Sequence, residues 1–352
     1  MATRSDPALE TLLMPVADGS LRWPGRGLFL QARAGWPLQA LSLPGLSCTQ
    51  DDRAAHDALQ AAGFDVHPGQ ALDPAARWPL VLVLPPRQRE AARALSAEAL
   101  ARLEPGGRIL ACMPNKEGAR SGEADLARIA GPVASLSKHH CRAFWTGAID
   151  TPADPALCTQ WRALAQPRWI ASAQVPGGGF HSRPGIFAWD RVDPASALLA
   201  EHLPGDLAGS GADFGAGWGY LALAVLERCR GVQALDLFEA DARALACARL
   251  NLAPQAGRAR VGFHWHDVAA GVAGRYDFVV SNPPFHAAGR DARPQLGRAF
   301  IAAAAAALRP GGRLWLVANR HLPYEQALGD RFGRVRGVVQ RDGFKVLEAI
   351  RG

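Results

Sequence analysis

One phrase occurs twice in this chain. Leu103-Glu104-Pro105-Gly106-Gly107-Arg108-Ile109 is echoed by Leu308-Arg309-Pro310-Gly311-Gly312-Arg313-Leu314. Two further echoes stand in the same order. Ala34-Gly35-Trp36 corresponds to Ala216-Gly217-Trp218, and residues 80–87, an apolar run closed by two prolines, correspond to residues 278–285. Three echoes in one order imply two copies of one fold. Within each copy short apolar runs alternate with helical stretches, the pattern of βαβ units around a parallel sheet, so the expected class is α/β. At 352 residues the chain can supply two domains with separate cores. The Pro- and Gly-bearing stretch from Ala165-Gln166-Pro167 to Val175-Pro176-Gly177-Gly178-Gly179 marks a boundary near 170–180 and predicts domains 1–170 and 171–352.

The copies differ where chemistry would occur. The second carries Asp213-Phe214-Gly215-Ala216-Gly217-Trp218-Gly219 at the end of a short strand, followed by a helical run. Glycines are needed where backbone turns sharply and a ligand lies against it. The G-x-G-x-G spacing differs from the G-x-G-x-x-G of dinucleotide turns, and the acid ahead of it suits a cationic ligand. The next strand ends in Glu239, where a ribose-binding carboxylate belongs, with Asp236 and Asp241 as competitors. After a third strand comes His264-Trp265-His266-Asp267, in which Asp267 could accept from an adenine amino group and the histidines have equal claims as packing residues. In place of the Asp and two of the three glycines the first copy reads Gln31, Arg33 and Pro37, and it has Leu84 in place of Asn282. A bulky Arg and a φ-locked Pro obstruct close approach to a ligand, so the first domain should be catalytically silent.

Ser281-Asn282-Pro283-Pro284-Phe285 closes the apolar run 276–280. Two prolines stop a strand, which places Asn282 on a strand-end turn where parallel α/β sheets bind ligands. A planar exocyclic amine is a weak nucleophile because its lone pair is delocalised. The Asn282 oxygen and the Pro283 carbonyl could accept its two hydrogens, while Phe285 stacks on the ring. Asn-Pro-Pro alone is more often only a turn. The upstream acids and glycines give it weight.

The remaining composition narrows the class. Apolar content of 49% and charged content of 20% are those of a globular protein; no apolar run reaches membrane-spanning length, and Asp6 and Glu10 sit where a signal peptide would be basic then apolar. A cytoplasmic protein is expected. Six scattered cysteines without a Cys-x-x-Cys pair read as reduced core thiols rather than disulfides or a zinc site. The net charge of +7 favours an anionic partner such as RNA.

Taken together, an acid before a glycine turn, acids after the second and third strands and Asn-Pro-Pro-Phe after the fourth resemble the class I methyltransferases that use S-adenosylmethionine. Asn-Pro-Pro-aromatic motifs in that superfamily serve DNA amines, glutamine amides and guanine N2 of ribosomal RNA. Other segments choose among these. Residues 115–121, 140–142, 183–187 and on to Asp193, Asn282 to His286, 317–324, Phe332-Gly333 and 343–346 are similar to the ribosomal RNA guanine-N2 methyltransferases with duplicated domains.

That resemblance implies two tandem Rossmann-like domains, the N-terminal one degenerate and serving RNA binding and support. It implies S-adenosylmethionine held by Asp213, Gly215, Gly217, Gly219, Glu239 and Asp267, with Phe187 flanking it. A flipped guanine would be held by Asn282, Pro283, Pro284 and Phe285, for in-line displacement without a covalent enzyme intermediate or a metal. The expected partner is ribosomal RNA or a ribosomal subunit, with the small subunit expected, no membrane and the protein a monomer. Arg290, Arg293, Arg298 and Arg320 are candidates for phosphate contacts, as are Lys116, Arg120 and Arg142 in the first half; solvated surface is the alternative for each. The two arginines in 287–294 depart from the Thr-containing loop expected there and leave substrate choice open. The rival readings are a methyltransferase acting on a DNA base or a protein glutamine, and a non-catalytic assembly factor that keeps the fold.

Overall fold

Alternating apolar runs and helical stretches build two seven-stranded sheets, one in each half of the chain. The computed structural model describes residues 6–255, 257–284 and 294–352. Compact packing divides the chain into residues 1–167 with 183–185 and residues 168–182 with 186–352.

The first unit contains α1 (Pro7–Ala17), β1 (Gly27–Leu30), α2 (Trp36–Gln39), β2 (Leu46–Thr49), α3 (Arg53–Ala61), β3 (Asp65–His67) and β4 (Trp78–Val83). It continues with α4 (Arg89–Ala101), β5 (Leu103–Pro114), α5 (Ala119–Ala130), β6 (Val133–Lys138), β7 (Cys141–Thr146) and α6 (Pro155–Ala163). Its strand order is β3-β2-β1-β4-β5-β7-β6, with β7 antiparallel to its neighbours.

The second unit begins with a hairpin, β8 (Arg168–Ala171) and β9 (Gly179–Ser182), then α7 (Pro194–His202), β10 (Ala208–Phe214), α8 (Tyr220–Arg228), β11 (Gly231–Glu239) and α9 (Ala242–Leu252). After these come β12 (Arg260–Trp265), β13 (Tyr276–Ser281), α10 (Pro294–Ala307), β14 (Leu308–Asn319), α11 (Tyr324–Gly329), β15 (Arg334–Arg341) and β16 (Phe344–Ile350). The order β12-β11-β10-β13-β14-β16-β15 repeats that of the first sheet.

Helices cover both faces of the second sheet, so its strands are apolar on both sides. Successive residues alternate between two cores. Phe278 and Val280 of β13 join Leu235 and Leu237 of β11 on one face, while Val279 joins Phe214 and Leu316 on the other. The strand order reverses between the parallel neighbours β10 and β13, which opens the crevice where α/β sheets bind ligands. The glycine turn follows β10 and Asn282 follows β13. The Ser281 hydroxyl donates to the Phe214 carbonyl at 2.7 Å and ties the two strand ends together.

The structure changes two readings of the sequence. First, the repeated Pro-Gly-Gly segments, whose composition alone signals a turn, are bulges inside β5 and β14: pairing slips between Trp78 and Leu80 and between Tyr276 and Phe278. Gly106 (φ 76°) and Gly311 (φ 78°) take the left-handed conformation that helps three extra residues enter each strand. Second, the first copy's turn aligns two residues away from the motif match. Asp52 N–H donates to the Gln50 side chain just as Asp241 N–H donates to Glu239, and each Asp caps the following helix. Leu30 pairs with Thr49 as Phe214 pairs with Phe238. Phe29 therefore stands in the place of Asp213, Gln31 in that of Gly215, Arg33 in that of Gly217 and Gly35 in that of Gly219. Gln31 even keeps the left-handed φ, 56° against 78° for Gly215.

All six cysteines are buried and free. Among the described residues no helix is long and apolar enough to cross a membrane, and no group of three His, Cys, Asp or Glu could hold a metal ion.

Candidate active site

The turn after β10 is built by left-handed backbone at alternate residues: Gly215, Gly217 and Gly219 have φ of 78°, 56° and 94°. Side chains are strained in that region, so glycine fills all three positions. At Gly219 a Cβ would also come within 2.8 Å of Leu252. Glu239, at the end of β11, braces the turn: one carboxylate oxygen accepts from Gly217 N–H at 2.7 Å and the other from Asp241 N–H at 2.8 Å. Asn251 of α9 adds a second brace, donating to the Trp218 and His181 carbonyls, both at 2.9 Å, and accepting from His181 N–H at 2.6 Å. Trp218 stacks on Phe180 with centroids 3.9 Å apart.

A cleft opens over this turn. Its walls include residues 215–218, Tyr220, Phe187, Asp193, Ser196 and Asn282, so the glycine turn and the Asn-Pro-Pro segment share one cavity. Phe187 is 67% exposed at its lip, beside Ala188 in the left-handed region at φ 46°. A non-glycine residue there is uncommon and clusters at ligand sites.

Asn282 is not free to turn. Its amide nitrogen donates to Asp193 Oδ2 at 2.9 Å and to Ser196 Oγ at 2.8 Å. Asp193 is the N-cap of α7, and the same Oδ2 accepts from Ser196 N–H at 2.9 Å. Pro283 is buried and Pro284 exposed.

Asp213 lies two residues before Gly215, and its side chain is wholly shielded from solvent. Neither carboxylate oxygen has a well-formed hydrogen bond among the described residues, the Ala222 backbone N–H offering only a weak one. Burial, reinforced by the charge of Glu239, pushes its carboxyl up to about 8. Burial likewise raises Glu239 to about 7, against the backbone bonds that favour its charged form. A buried carboxylate without partners is costly, several kcal/mol by order of magnitude. Such an orphan behind a glycine-lined cleft fits a cationic ligand, as an aminoacyl sulfonium nucleoside is, although neither Asp213 nor Glu239 lines the cleft itself.

The other expected residues are less tightly gathered. Asp267 follows β12 next to the end of β11, where His266 N–H donates to the Glu239 carbonyl. Its carboxylate accepts from Ala269 N–H at 2.9 Å, and it does not line the cleft. His264 stacks on Phe238, and His266 bonds the Gly271 carbonyl at 2.6 Å, so both are engaged in packing and local bonds. Arg298 on α10 and Arg320 after β14 are exposed and form no ion pair among the described residues. Lys116 and Arg120 are exposed likewise, whereas Arg142 is engaged by Glu123. Phe285, Arg290 and Arg293 lie outside the described residues.

Reading the sequence missed Asp193, Ser196, Tyr220 and Asn251. Asp193-Pro194 carried a local sign, an acidic N-cap followed by Pro at the first helical position, but nothing local tied it to Asn282.

Residues 177–348 match the family model described as the methyltransferase small domain. The chain is 34% identical to ribosomal RNA small subunit methyltransferase C of Pseudomonas paraeruginosa over 79% of this chain and 81% of that protein. It is 29% identical to the protein of that name from Psychromonas ingrahamii, over 89% and 88% of the two chains. Among solved structures it resembles the T. thermophilus 16S rRNA N2 G1207 methyltransferase in complex with AdoMet and guanosine. That match has a TM-score of 0.81 at 26% identity and covers 100% of this chain and 93% of the other.

Proposed function

The chain belongs to the ribosomal RNA small subunit methyltransferase C family, and from that premise we propose that it methylates the exocyclic N2 of a guanine in 16S ribosomal RNA, the counterpart of G1207 in the T. thermophilus enzyme. S-adenosylmethionine is the cofactor, and when bound it supplies an electrophilic methyl group on a sulfonium.

The protein's part is position and electrostatics. We assign Asp213, the turn Gly215-Gly217-Gly219, Glu239, Asp267 and Phe187 to the cofactor. Asn282, Pro283, Pro284 and Phe285 are assigned to the guanine. The observation that carries this reading is that Asn282 and the glycine turn wall one cleft, with the Asn282 amide nitrogen held back and its oxygen left to accept. An oxygen accepting from N2–H draws the nitrogen toward a tetrahedral, nucleophilic geometry, and a fixed acceptor costs no reorganisation as the base reacts. Proximity supplies much of the rest.

Residues 171–352 would then form the catalytic domain. Residues 1–170 would be a degenerate copy that helps to hold RNA, with exposed Lys116 and Arg120 as contacts alongside Arg298, Arg320, Arg290 and Arg293. We take the protein to be a cytoplasmic monomer, which sedimentation of the purified chain with and without RNA checks. The function itself is tested by incubating the protein with labelled cofactor and unmethylated 16S RNA or small subunits, then mapping N2-methylguanosine. Label appearing in release-factor glutamine or DNA instead would defeat the assignment.

A further inference from the structure

A side-chain amide presents one accepting and one donating end, and which of them meets a bound base depends on what holds the other. The Asn282 nitrogen has two hydrogens, and both are taken, by Asp193 Oδ2 and Ser196 Oγ. The orientation follows from chemistry. A carboxylate oxygen only accepts, so the amide's NH2 must be the end that faces Asp193. The same Oδ2 already accepts from Ser196 N–H, which fixes the carboxylate at the start of α7 and with it the Ser196 hydroxyl one helical turn on. Asn282 Oδ1 has no partner among the described residues, and all three side chains wall the cleft.

We propose that Asp193 and Ser196 are positioning residues for methyl transfer: by holding the Asn282 amide nitrogen they make its oxygen a fixed, accept-only contact, so the clamp favours a base that offers an amino group there. An unrestrained Asn could turn its NH2 inward and hold a carbonyl-bearing edge equally well. The helix cap of α7 thus also sets the polarity of the substrate pocket. The assignment rests on the methyltransferase reading above.

The test separates this role from a merely structural one. Asp193→Ala removes the cap and could unfold α7, so Ser196→Ala, Ser196→Thr and Asp193→Asn carry the experiment, each made in the full chain with and without Asn282→Ala. Ser196→Ala should lower single-turnover kcat about tenfold while changing S-adenosylmethionine affinity less than about twofold, the size of effect expected for one lost hydrogen bond in a reacting pocket. Ser196→Thr and Asp193→Asn, which keep an accepting oxygen, should recover most of that loss. In the Asn282→Ala background Ser196→Ala should have no further effect. An equal loss with and without Asn282, or no loss at all, overturns the proposal.

Nitrogen-15 NMR of the side-chain amides supplies a readout independent of activity. Asn282 NH2 hydrogens should exchange slowly in the native chain and faster in Ser196→Ala, and equal exchange also overturns it. A native protein that transfers no methyl to ribosomal RNA, yet shows this exchange difference, would defeat the substrate reading and leave the hydrogen-bond lock in place.

Discussion

The two sheets share a strand order, a bulge at the start of the fifth strand and a bond from the helix-cap N–H to the side chain that follows or ends the second strand. They differ in the side chains at the mouth of the sheet. Asp213, Gly215, Gly217, Glu239 and Asn282 of the second unit stand where the first has Phe29, Gln31, Arg33, Gln50 and Leu84. In the first unit Gln50 donates to the Ala32 carbonyl at 2.7 Å, whereas Glu239 accepts from Gly217 N–H, so the polarity of the brace is reversed. Gln31 reaches Asp51 at 2.8 Å, and the other Asp51 oxygen accepts from Gly69 N–H at 2.9 Å. These pairs occupy the end of the sheet with bonds among the protein's own groups. The comparison teaches that the sheet does not require the site. The scaffold stands with self-satisfying residues in the places of those we assign to the cofactor.

Giving the second unit the first unit's residue at the clamp should have the largest effect. Asn282→Leu removes the acceptor for the N2 hydrogens and leaves Asp193 and Ser196 facing an apolar group. Loss of one oriented acceptor or donor in an active site costs roughly 10²–10³ in kcat. Methyl transfer to 16S RNA should fall by that factor, with S-adenosylmethionine affinity, read by calorimetry, within about threefold of native because the glycine turn is untouched. Retention of a tenth or more of native kcat would break the assignment of Asn282.

Gly217→Arg imports Arg33. A Cβ at Gly217 meets nothing within 4 Å, so the backbone atoms do not object. The left-handed φ costs about 1–2 kcal/mol for a side-chain residue, and the long side chain must cross the cleft that Gly217 lines. Cofactor affinity should fall more than about a hundredfold, or about 2.7 kcal/mol, with only a small drop in Tm. Binding at native strength would mean that the cofactor does not lie against this turn.

Asp213→Asn imitates the uncharged Phe29 in polarity. The Asp213 carboxyl titrates at about 8 in the folded chain against 3.8 for an ordinary carboxyl. A carboxyl raised on folding lends stability that is fully present below about pH 4 and is lost as pH climbs through about 8. The cofactor-free native protein should therefore lose stability between pH 5 and pH 8.5 relative to Asp213→Asn, on the order of 4 kcal/mol, and saturating cofactor should reverse the ranking. Denaturant titrations at both pH values check it; parallel pH dependence of the two proteins would show that the carboxyl is not strained by burial.

Glu239→Gln copies Gln50. A carboxylate accepts from two backbone N–H groups here, and an amide can accept at only one end. Affinity should drop about tenfold. The pH profile should change with it. Both carboxyls are raised, to about 7 and about 8, so native affinity for a cationic cofactor should increase as pH rises from 6 to 8 and then level; Glu239→Gln should keep only the upper part of that rise. A flat native profile would remove both acids from the cofactor site.

Much of this fold is legible in the sequence. The alternation of apolar runs and helices, the glycine turn after β10 and the two prolines after β13 are local features, and local features set strand ends and turns. What escaped was non-local or disguised. Asn282 is held by groups 86 and 89 residues away, joined only because α7 begins beside the end of β13. The tryptophans Trp36 and Trp218 invited a match that the hydrogen bonds contradict, since Trp36 begins α2 whereas Trp218 precedes Gly219 inside the turn. Pro-Gly-Gly signals a turn to any reading by propensity. Here one left-handed glycine instead places a bulge in a strand whose partner keeps pairing on both sides.

The reverse graft should do least. Gln31→Gly restores the glycine of the working turn to the silent copy. It relieves a left-handed Gln at φ 56°, worth about 1 kcal/mol, and forfeits the partly buried bond from Gln31 Nε2 to Asp51 Oδ2, worth about the same. Glycine also enlarges the entropy of the unfolded chain. Stability should shift by less than about 1 kcal/mol in either direction, a change of a few degrees in Tm. No second equivalent of S-adenosylmethionine should appear in calorimetry, because Arg33 still stands in the place of Gly217 and the Gln50 amide still donates where Glu239 accepts. A second binding event after this one substitution would mean that the first sheet's site is plugged rather than dismantled.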